Sequence, residues 1–158
     1  MRILLLALAL AAAPAAAQPS PPATAAAEAP IVAEARAFME AYAEDLRRGE
    51  RGAIAERYDR SGAWRVGPRR TRFETWDQIN ASYRGRWEAP ASFEWQTLAY
   101  EPAGPDAVVV VGRFFWWPQK ARALEPPLDY SYTALLVRRD GKLRIRVEDE
   151  AAAAPARP

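Results

Sequence analysis

The chain has 158 residues, with 22 basic and 20 acidic side chains and a formal net charge of only +2. This balance argues against nucleic-acid binding, which depends on a strongly basic surface. The chain contains no cysteine and no histidine, which excludes disulfide bonds, Ser-His-Asp and Cys-His catalysis, and zinc held by those residues. We therefore expect no metal, no cofactor and no nucleic-acid partner.

The N-terminal 17 residues have the pattern of a cleavable signal peptide. Met1-Arg2 gives a positive start, residues 3–13 are apolar, and Ala15-Ala16-Ala17 offers the small-x-small pattern of a cleavage site. The apolar stretch is shorter than the ~20 residues that a membrane-spanning helix needs. The sequence predicts cleavage before Gln18 and an exported protein, periplasmic or secreted, with no membrane attachment; an uncleaved anchor is the alternative.

Two segments rich in alanine and proline flank the predicted domain. Residues 18–30 are mostly Ala, Pro, Ser and Thr, which is typical of a flexible linker, and residues 151–158 are predicted to be a disordered tail. Residues 31–150 lie between them, and this length is enough for one domain with a single hydrophobic core.

Helical periodicity dominates the first half of this domain. Apolar residues recur at helical spacing over residues 31–46, and Gly49 is expected to end this first helix. A shorter helix is predicted around residues 51–58. The stretch Thr75-Trp76-Asp77-Gln78 has the spacing of a capping box, which predicts a third helix over residues 75–84.

An arginine-rich stretch separates the second and third predicted helices. Residues 62–66 are predicted to form a short strand, followed by a loop around Gly67-Pro68. The arginines of this stretch are Arg65, Arg69, Arg70 and Arg72. They either meet an anionic ligand or belong to a solvated loop.

The apolar period changes to two after Pro90, which predicts strands. These strands cover residues 92–100, 107–117, 129–138 and 142–148. The last two are joined by Asp140-Gly141, a two-residue turn typical of a β-hairpin. Helices followed by mostly antiparallel strands predict an α+β domain.

This order of elements resembles the nuclear-transport-factor-2-like (NTF2-like) superfamily, and within it the SnoaL-like and DUF4440-type proteins. The resemblance is carried by Phe38-Met39-Glu40-Ala41-Tyr42, by residues 53–58 and by the hairpin at 136–145. It implies a conical half-barrel in which three N-terminal helices pack on a curved sheet and leave a pocket at the wide end. The superfamily includes isomerases, dehydratases, cyclases, binding proteins and dimerisation modules, so the fold does not settle the function.

The hairpin predicts which residues face the pocket. Counting outward from Asp140-Gly141 pairs Tyr132 with Asp149, and opposed residues share a face of the sheet. Tyr130 and Tyr132 are then inward, with Asp149 at the lip of an apolar cavity, where it would be a candidate general base. The alternative is that residues 148–150 form a solvated acidic strand end.

Tyr42 matches the tyrosine that donates a hydrogen bond to the oxyanion in ketosteroid isomerase. The general base of that enzyme would align near Val66, which is not an acid. The resemblance therefore implies a pocket-lining tyrosine at position 42 without steroid isomerisation.

The run Phe114-Phe115-Trp116-Trp117 lies in a strand that is apolar on both faces. Alternation places Phe114 with Trp116 on one face and Phe115 with Trp117 on the other. One pair is expected to line the pocket with Trp95 or Tyr132, and the other to lie on the outer face. The sequence leaves open which pair is which.

These patterns predict an exported protein that binds an apolar or aromatic small molecule and has no recognisable catalytic set. The predicted ligand-binding residues are Tyr42, Trp95, Trp117, Tyr130, Tyr132 and Asp149. The alternatives are a dehydratase, isomerase or cyclase that uses Asp149 and tyrosines, and a structural dimerisation module. A homodimer through the outer sheet face is also expected, because soluble monomers rarely expose apolar patches of several hundred Å².

Overall fold

The computed structural model describes residues 29–67, 70–120 and 126–153. The predicted signal peptide, residues 18–28 of the predicted linker and the end of the predicted tail lie outside these residues. No helix within the described ranges is long and apolar enough to cross a membrane. The elements are, in order, α1 (Pro30–Arg48), α2 (Arg51–Glu56), β1 (Ala63–Gly67), β2 (Arg70–Glu74), α3 (Trp76–Gly85), β3 (Ser92–Pro102), β4 (Ala107–Trp117), β5 (Leu128–Arg139) and β6 (Lys142–Ala152).

Local signals set the helix boundaries. Gly49 follows α1 in the left-handed conformation, with φ 69°, and its N–H donates to carbonyls of the last turn. At the start of α3 the Thr75 hydroxyl accepts from the Gln78 N–H, and the Gln78 side chain accepts from the Thr75 N–H. Both predicted helix boundaries are therefore confirmed.

One open sheet of six strands faces the three helices. The strand order is β2-β1-β6-β5-β4-β3, and all neighbours are antiparallel except β1 and β6, which run parallel. The sheet is curved and does not close. The hydrophobic core lies between its inner face and the helices, with fully buried Met39 and Ile54 from the helices and Val108, Leu136 and Ile145 from the strands.

The structure has a strand, β2, where the sequence predicted a loop. Its pairing with β1 makes Arg72 the cross-strand partner of Arg65. The only apolar side chain of β2, Phe73, is exposed on the outer face. The strand therefore lacks the buried apolar alternation by which the other strands were recognised.

The predicted hairpin turn is confirmed, and so is the pairing next to it. Asp140 and Gly141 both have positive φ, at 49° and 73°, as a two-residue turn requires. From this turn the two strands pair in the predicted register as far as Leu136 and Ile145.

The predicted register fails beyond Ile145. A β-bulge makes Arg146 an extra residue of β6, so that Tyr132 pairs with Glu150 instead of Asp149. One extra residue moves every later side chain to the opposite face. Glu148 and Glu150 therefore point inward, and the predicted inward position of Asp149 is wrong.

The structure also shows which side chains of the aromatic run 114–117 face inward. Phe114 is buried and stacks on Tyr130 with ring centroids 5.0 Å apart. Trp116 lies on the same inner face, whereas Phe115 and Trp117 contact each other on the outer face at 5.8 Å. The predicted pocket-lining position of Trp117 is therefore wrong, because alternation gives that place to Trp116.

Gly112 of β4 lies where the β3 backbone approaches β4 closely. A Cβ at this position would overlap the Thr97 carbonyl oxygen and lie 2.8 Å from Leu98 Cδ2, whereas a Cβ at Gly85 would meet open space. We expect Gly112→Ala to lower the free energy of unfolding by about 1–3 kcal/mol, as measured by urea denaturation. Gly85→Ala is the matched control and should be neutral or slightly stabilising; an unchanged midpoint for Gly112→Ala would contradict this packing.

Candidate functional site

A cavity of about 170 Å³ opens between α1, α3 and the inner face of the sheet. Eleven described residues line it, and eight of these are aromatic, so the wall suits an apolar or aromatic guest. Of the six predicted ligand-binding residues, three line the cavity: Tyr42, Trp95 and Tyr130.

The other three predicted residues lie elsewhere. Tyr132 is fully buried beneath the wall, where its hydroxyl donates to Glu148. Asp149 is the strand partner of Thr133 and faces away from the cavity, and Trp117 lies on the outer face. The structure adds residues that the sequence analysis did not single out, notably Glu150 and Trp87.

The aromatic wall is held by contacts among its own rings. Trp95 meets Phe93 and Tyr132 edge to face, each with ring centroids 4.9 Å apart. Its indole N–H also donates to the Met39 carbonyl at 3.4 Å, which ties the wall to α1. Edge-to-face pairs of this kind stabilise each other beyond simple burial, so the wall is preorganised.

A buried carboxylate, Glu148, lies behind this wall. Its Oε1 accepts from the Tyr42 hydroxyl at 3.2 Å and from the Tyr132 hydroxyl at 3.4 Å, and its Oε2 accepts from Tyr58. Arg65 Nε lies 3.7 Å from the same Oε2. Hydrogen bonds and an opposite charge offset the cost of burying a carboxylate. This cluster does not follow from the sequence, because a hairpin without the bulge would place Glu148 on the outer face.

The tyrosines of the cluster are held in their protonated form. Burial, followed by the negative charge of Glu148, raises the pKa of Tyr42, Tyr58 and Tyr132 well above the usual value for tyrosine. Burial likewise raises the pKa of Tyr83 to about 12, and its hydroxyl lies 2.8 Å from that of Tyr58. These phenols can therefore donate hydrogen bonds near neutral pH but do not act as bases.

Glu150 lies two residues beyond Glu148 on the same inner face and lines the cavity. Within the described part of the chain no hydrogen bond or ion pair is made by its carboxyl group. Burial, followed by the negative charge of Glu148, raises the pKa of Glu150 to about 8, although Arg65 opposes the shift. Glu150 is thus a cavity carboxyl that can gain or lose a proton near neutral pH.

We expect Glu150→Gln to stabilise the protein progressively more as the pH rises from about 4.5 to about 8. The pKa of Glu150 is about 8 in the folded chain against an ordinary 4.5. The stability contributed by its neutral form is complete below about pH 4.5 and is lost as the pH rises through about 8. Near pH 9 the variant should be more stable than the natural chain by about 1–2 kcal/mol, which raises the melting temperature by several degrees.

Thermal denaturation near pH 4.5 and near pH 9, followed by circular dichroism, measures this difference. Asp149→Asn is the matched control, because it removes the neighbouring carboxyl group, whose side chain lies on the other face of the sheet and away from the cavity. Identical melting curves for Glu150→Gln and the natural chain at both pH values would contradict a buried, neutral Glu150.

No family model and no curated protein matches this sequence. Solved structures do match it. An NTF2-like protein of unknown function from Shewanella oneidensis MR-1 is 17% identical, with 77% of this chain and 98% of that chain covered and a TM-score of 0.66.

Two proteins from Novosphingobium aromaticivorans are also similar. An NTF2-like protein with a cystatin-like fold is 13% identical, with 79% of this chain and 83% of that chain covered and a TM-score of 0.62. A putative scytalone dehydratase is 13% identical, with 78% and 85% covered and a TM-score of 0.61. Identities this low show the fold and no more. The structural matches confirm the resemblance inferred from the sequence: this chain has the NTF2-like fold.

Proposed function

We propose that this chain is an exported protein that binds an apolar or aromatic small molecule in the cavity. One observation carries the proposal: the described side chains leave about 170 Å³ open inside a mostly aromatic wall. An apolar cavity of ~150 Å³ is large enough to bind benzene, so this one has room for about one ring. The pattern of residues 1–17 supports export.

The open cavity also weighs against one alternative. A module that serves only for dimerisation would be expected to fill its cone with its own side chains. Leaving aromatic surface uncovered costs stability, because each buried ring is worth on the order of 2 kcal/mol. A preformed aromatic cavity is better explained by a ligand that completes its packing.

Trp116 and Trp117 are adjacent residues on opposite faces, which makes them a matched pair for testing this proposal. We expect Trp116→Ala to weaken binding of small aromatic probes such as toluene, phenol and indole about tenfold, because the variant removes part of the wall. Trp117→Ala should leave binding unchanged. Isothermal titration calorimetry on both variants measures the difference, with circular dichroism to show that each is folded.

Native mass spectrometry of protein purified from its source gives a second readout, because a retained ligand would be seen directly. The proposal fails if no probe binds the natural chain and no ligand is retained. Equal losses in the two variants would also contradict it, since a general effect on folding would then explain both.

An enzyme is the second candidate, and the position of Glu150 favours it. The sequence suggested Asp149 as a candidate general base, but it is Glu150 that lines the cavity. A carboxyl with a pKa of about 8 is well matched to proton transfer near neutral pH. This reading would replace simple binding if the retained ligand were converted by the natural chain and by Asp149→Asn, but not by Glu150→Gln.

We also propose that a second copy of the chain covers the outer face of the sheet. Strand register aligns one apolar row across five strands: Phe73, Trp64, Val147, Leu135 and Val109. In the single chain Trp64 is 46% exposed and the neighbouring Val111 is 49% exposed. An apolar row of this kind can pack on its own copy about a two-fold axis, which removes both rows from water.

We expect the natural chain to sediment as a dimer at tens of micromolar. Val111→Asp should convert it to a monomer, because the charge would be buried at the interface. Trp117→Ala should weaken the dimer, whereas Trp116→Ala should not, which reverses the order expected for ligand binding. Analytical ultracentrifugation of the natural chain and the three variants measures this. A monomeric natural chain would end the proposal.

A further inference from the structure

The aromatic cavity adjoins a second open space. It continues into a wider cleft of about 440 Å³ that is bounded by β1, β2 and α3. Four residues line both spaces: Arg65, Trp87, Tyr130 and Glu150. A ligand larger than one ring would therefore extend from the cavity into this cleft.

Three different segments each supply an arginine to the cleft. Arg65 comes from β1, Arg72 lies opposite it on β2, and Arg86 directly follows α3. The pairing of β1 with β2, which the sequence did not predict, is what brings the first two together. The Arg86 side chain is exposed and makes no ion pair or hydrogen bond within the described residues, although its backbone N–H donates to the Ser82 carbonyl.

The carboxylates that pair with Arg65 and Arg72 are buried. Glu74 pairs with both Arg65 and Arg72, but its side chain is 4% exposed, against 28% and 42% for the two arginines. The charged atoms that reach open space in the cleft are therefore guanidinium groups. Glu150, with its pKa of about 8, is mostly uncharged near pH 7 and does not oppose an incoming anion.

We propose that the cleft is a subsite for an anionic group, so that the ligand is an aromatic or apolar carboxylate with about one ring. The ring lies in the cavity, and the carboxylate meets Arg72 and Arg86. This inference rests on the proposed function and adds the chemical class of the ligand. A guanidinium group suits a carboxylate because it can donate two parallel hydrogen bonds.

The charge of the cleft also distinguishes an anionic ligand from a cationic one, which an aromatic cavity could bind as well. A quaternary ammonium group binds well among aromatic rings, and the wall alone would accept one. The three arginines at the cleft repel a cation and attract an anion. The two ligand classes therefore give opposite orders of affinity.

Three probes that share a phenyl ring and a short chain test the proposal: phenylpropanoate, phenylpropanol and phenylethyltrimethylammonium. Calorimetry with the natural chain near pH 7 should show phenylpropanoate binding at least tenfold more tightly than phenylpropanol, with the ammonium compound weakest. Added salt should weaken the binding of phenylpropanoate only.

Arg86→Gln identifies the subsite, and Arg84→Gln is its matched control. Arg84 is an exposed arginine two residues earlier that does not line the cleft. We expect Arg86→Gln to weaken phenylpropanoate about tenfold and to leave phenylpropanol unchanged, while Arg84→Gln changes neither. Because both side chains are exposed, neither substitution should prevent folding.

The outcomes distinguish the anionic subsite from the proposed ligand cavity. If phenylpropanol and phenylpropanoate bind equally, or the ammonium compound binds best, the anionic subsite is overturned while the proposed ligand cavity stands. Equal losses for Arg84→Gln and Arg86→Gln would also overturn the subsite, since a general charge effect would explain both. If none of the three probes binds, the anionic subsite is overturned; the proposed function also fails only if toluene, phenol and indole do not bind and no ligand is retained.

Discussion

A buried carboxylate has to be satisfied by its neighbours, and in this protein Glu148 imposes that constraint on most of the fold. Its oxygens take hydroxyl donors from α1, from the segment after α2 and from β5, through Tyr42, Tyr58 and Tyr132. Arg65 brings β1 to the same group. Removing any one donor would leave the buried carboxylate with one hydrogen bond fewer, at a cost to stability, so this cluster fixes how the helices and the sheet sit together.

The cavity and its charge pattern follow from this arrangement. The bulge at Arg146 that turns Glu148 inward also turns Glu150 inward, two residues later. Glu150 lacks the donors that surround Glu148, so its carboxyl is favoured in the neutral form. Arg65, held by Glu148 and Glu74, is at the junction of the aromatic cavity and the arginine-lined cleft. One backbone irregularity thus places both Glu148 and Glu150 on the inner face of the sheet.

The parts of the fold that were predicted correctly depend on short-range physics. Gly49, the capping box of Thr75 and Gln78, and the turn Asp140-Gly141 each have a conformational preference that neighbouring residues alone decide. The bulge is different in kind. Arg146 donates to the Ser61 hydroxyl and the Gly62 carbonyl, more than eighty residues earlier, so no local pattern in β6 marks it.

Local sequence patterns are enough to predict the helices, five of the six strands, the hairpin turn and the NTF2-like resemblance, and they point to Tyr42, Trp95 and Tyr130 as aromatic residues of a pocket. These follow from periodicity and turn chemistry, which act over a few residues. Contacts between distant parts of the chain are needed to establish that β2 pairs with β1, that Trp116 instead of Trp117 faces inward, and that Glu150 instead of Asp149 lines the cavity. Those choices depend on strand register, which contacts between distant segments fix and a single displaced residue reverses.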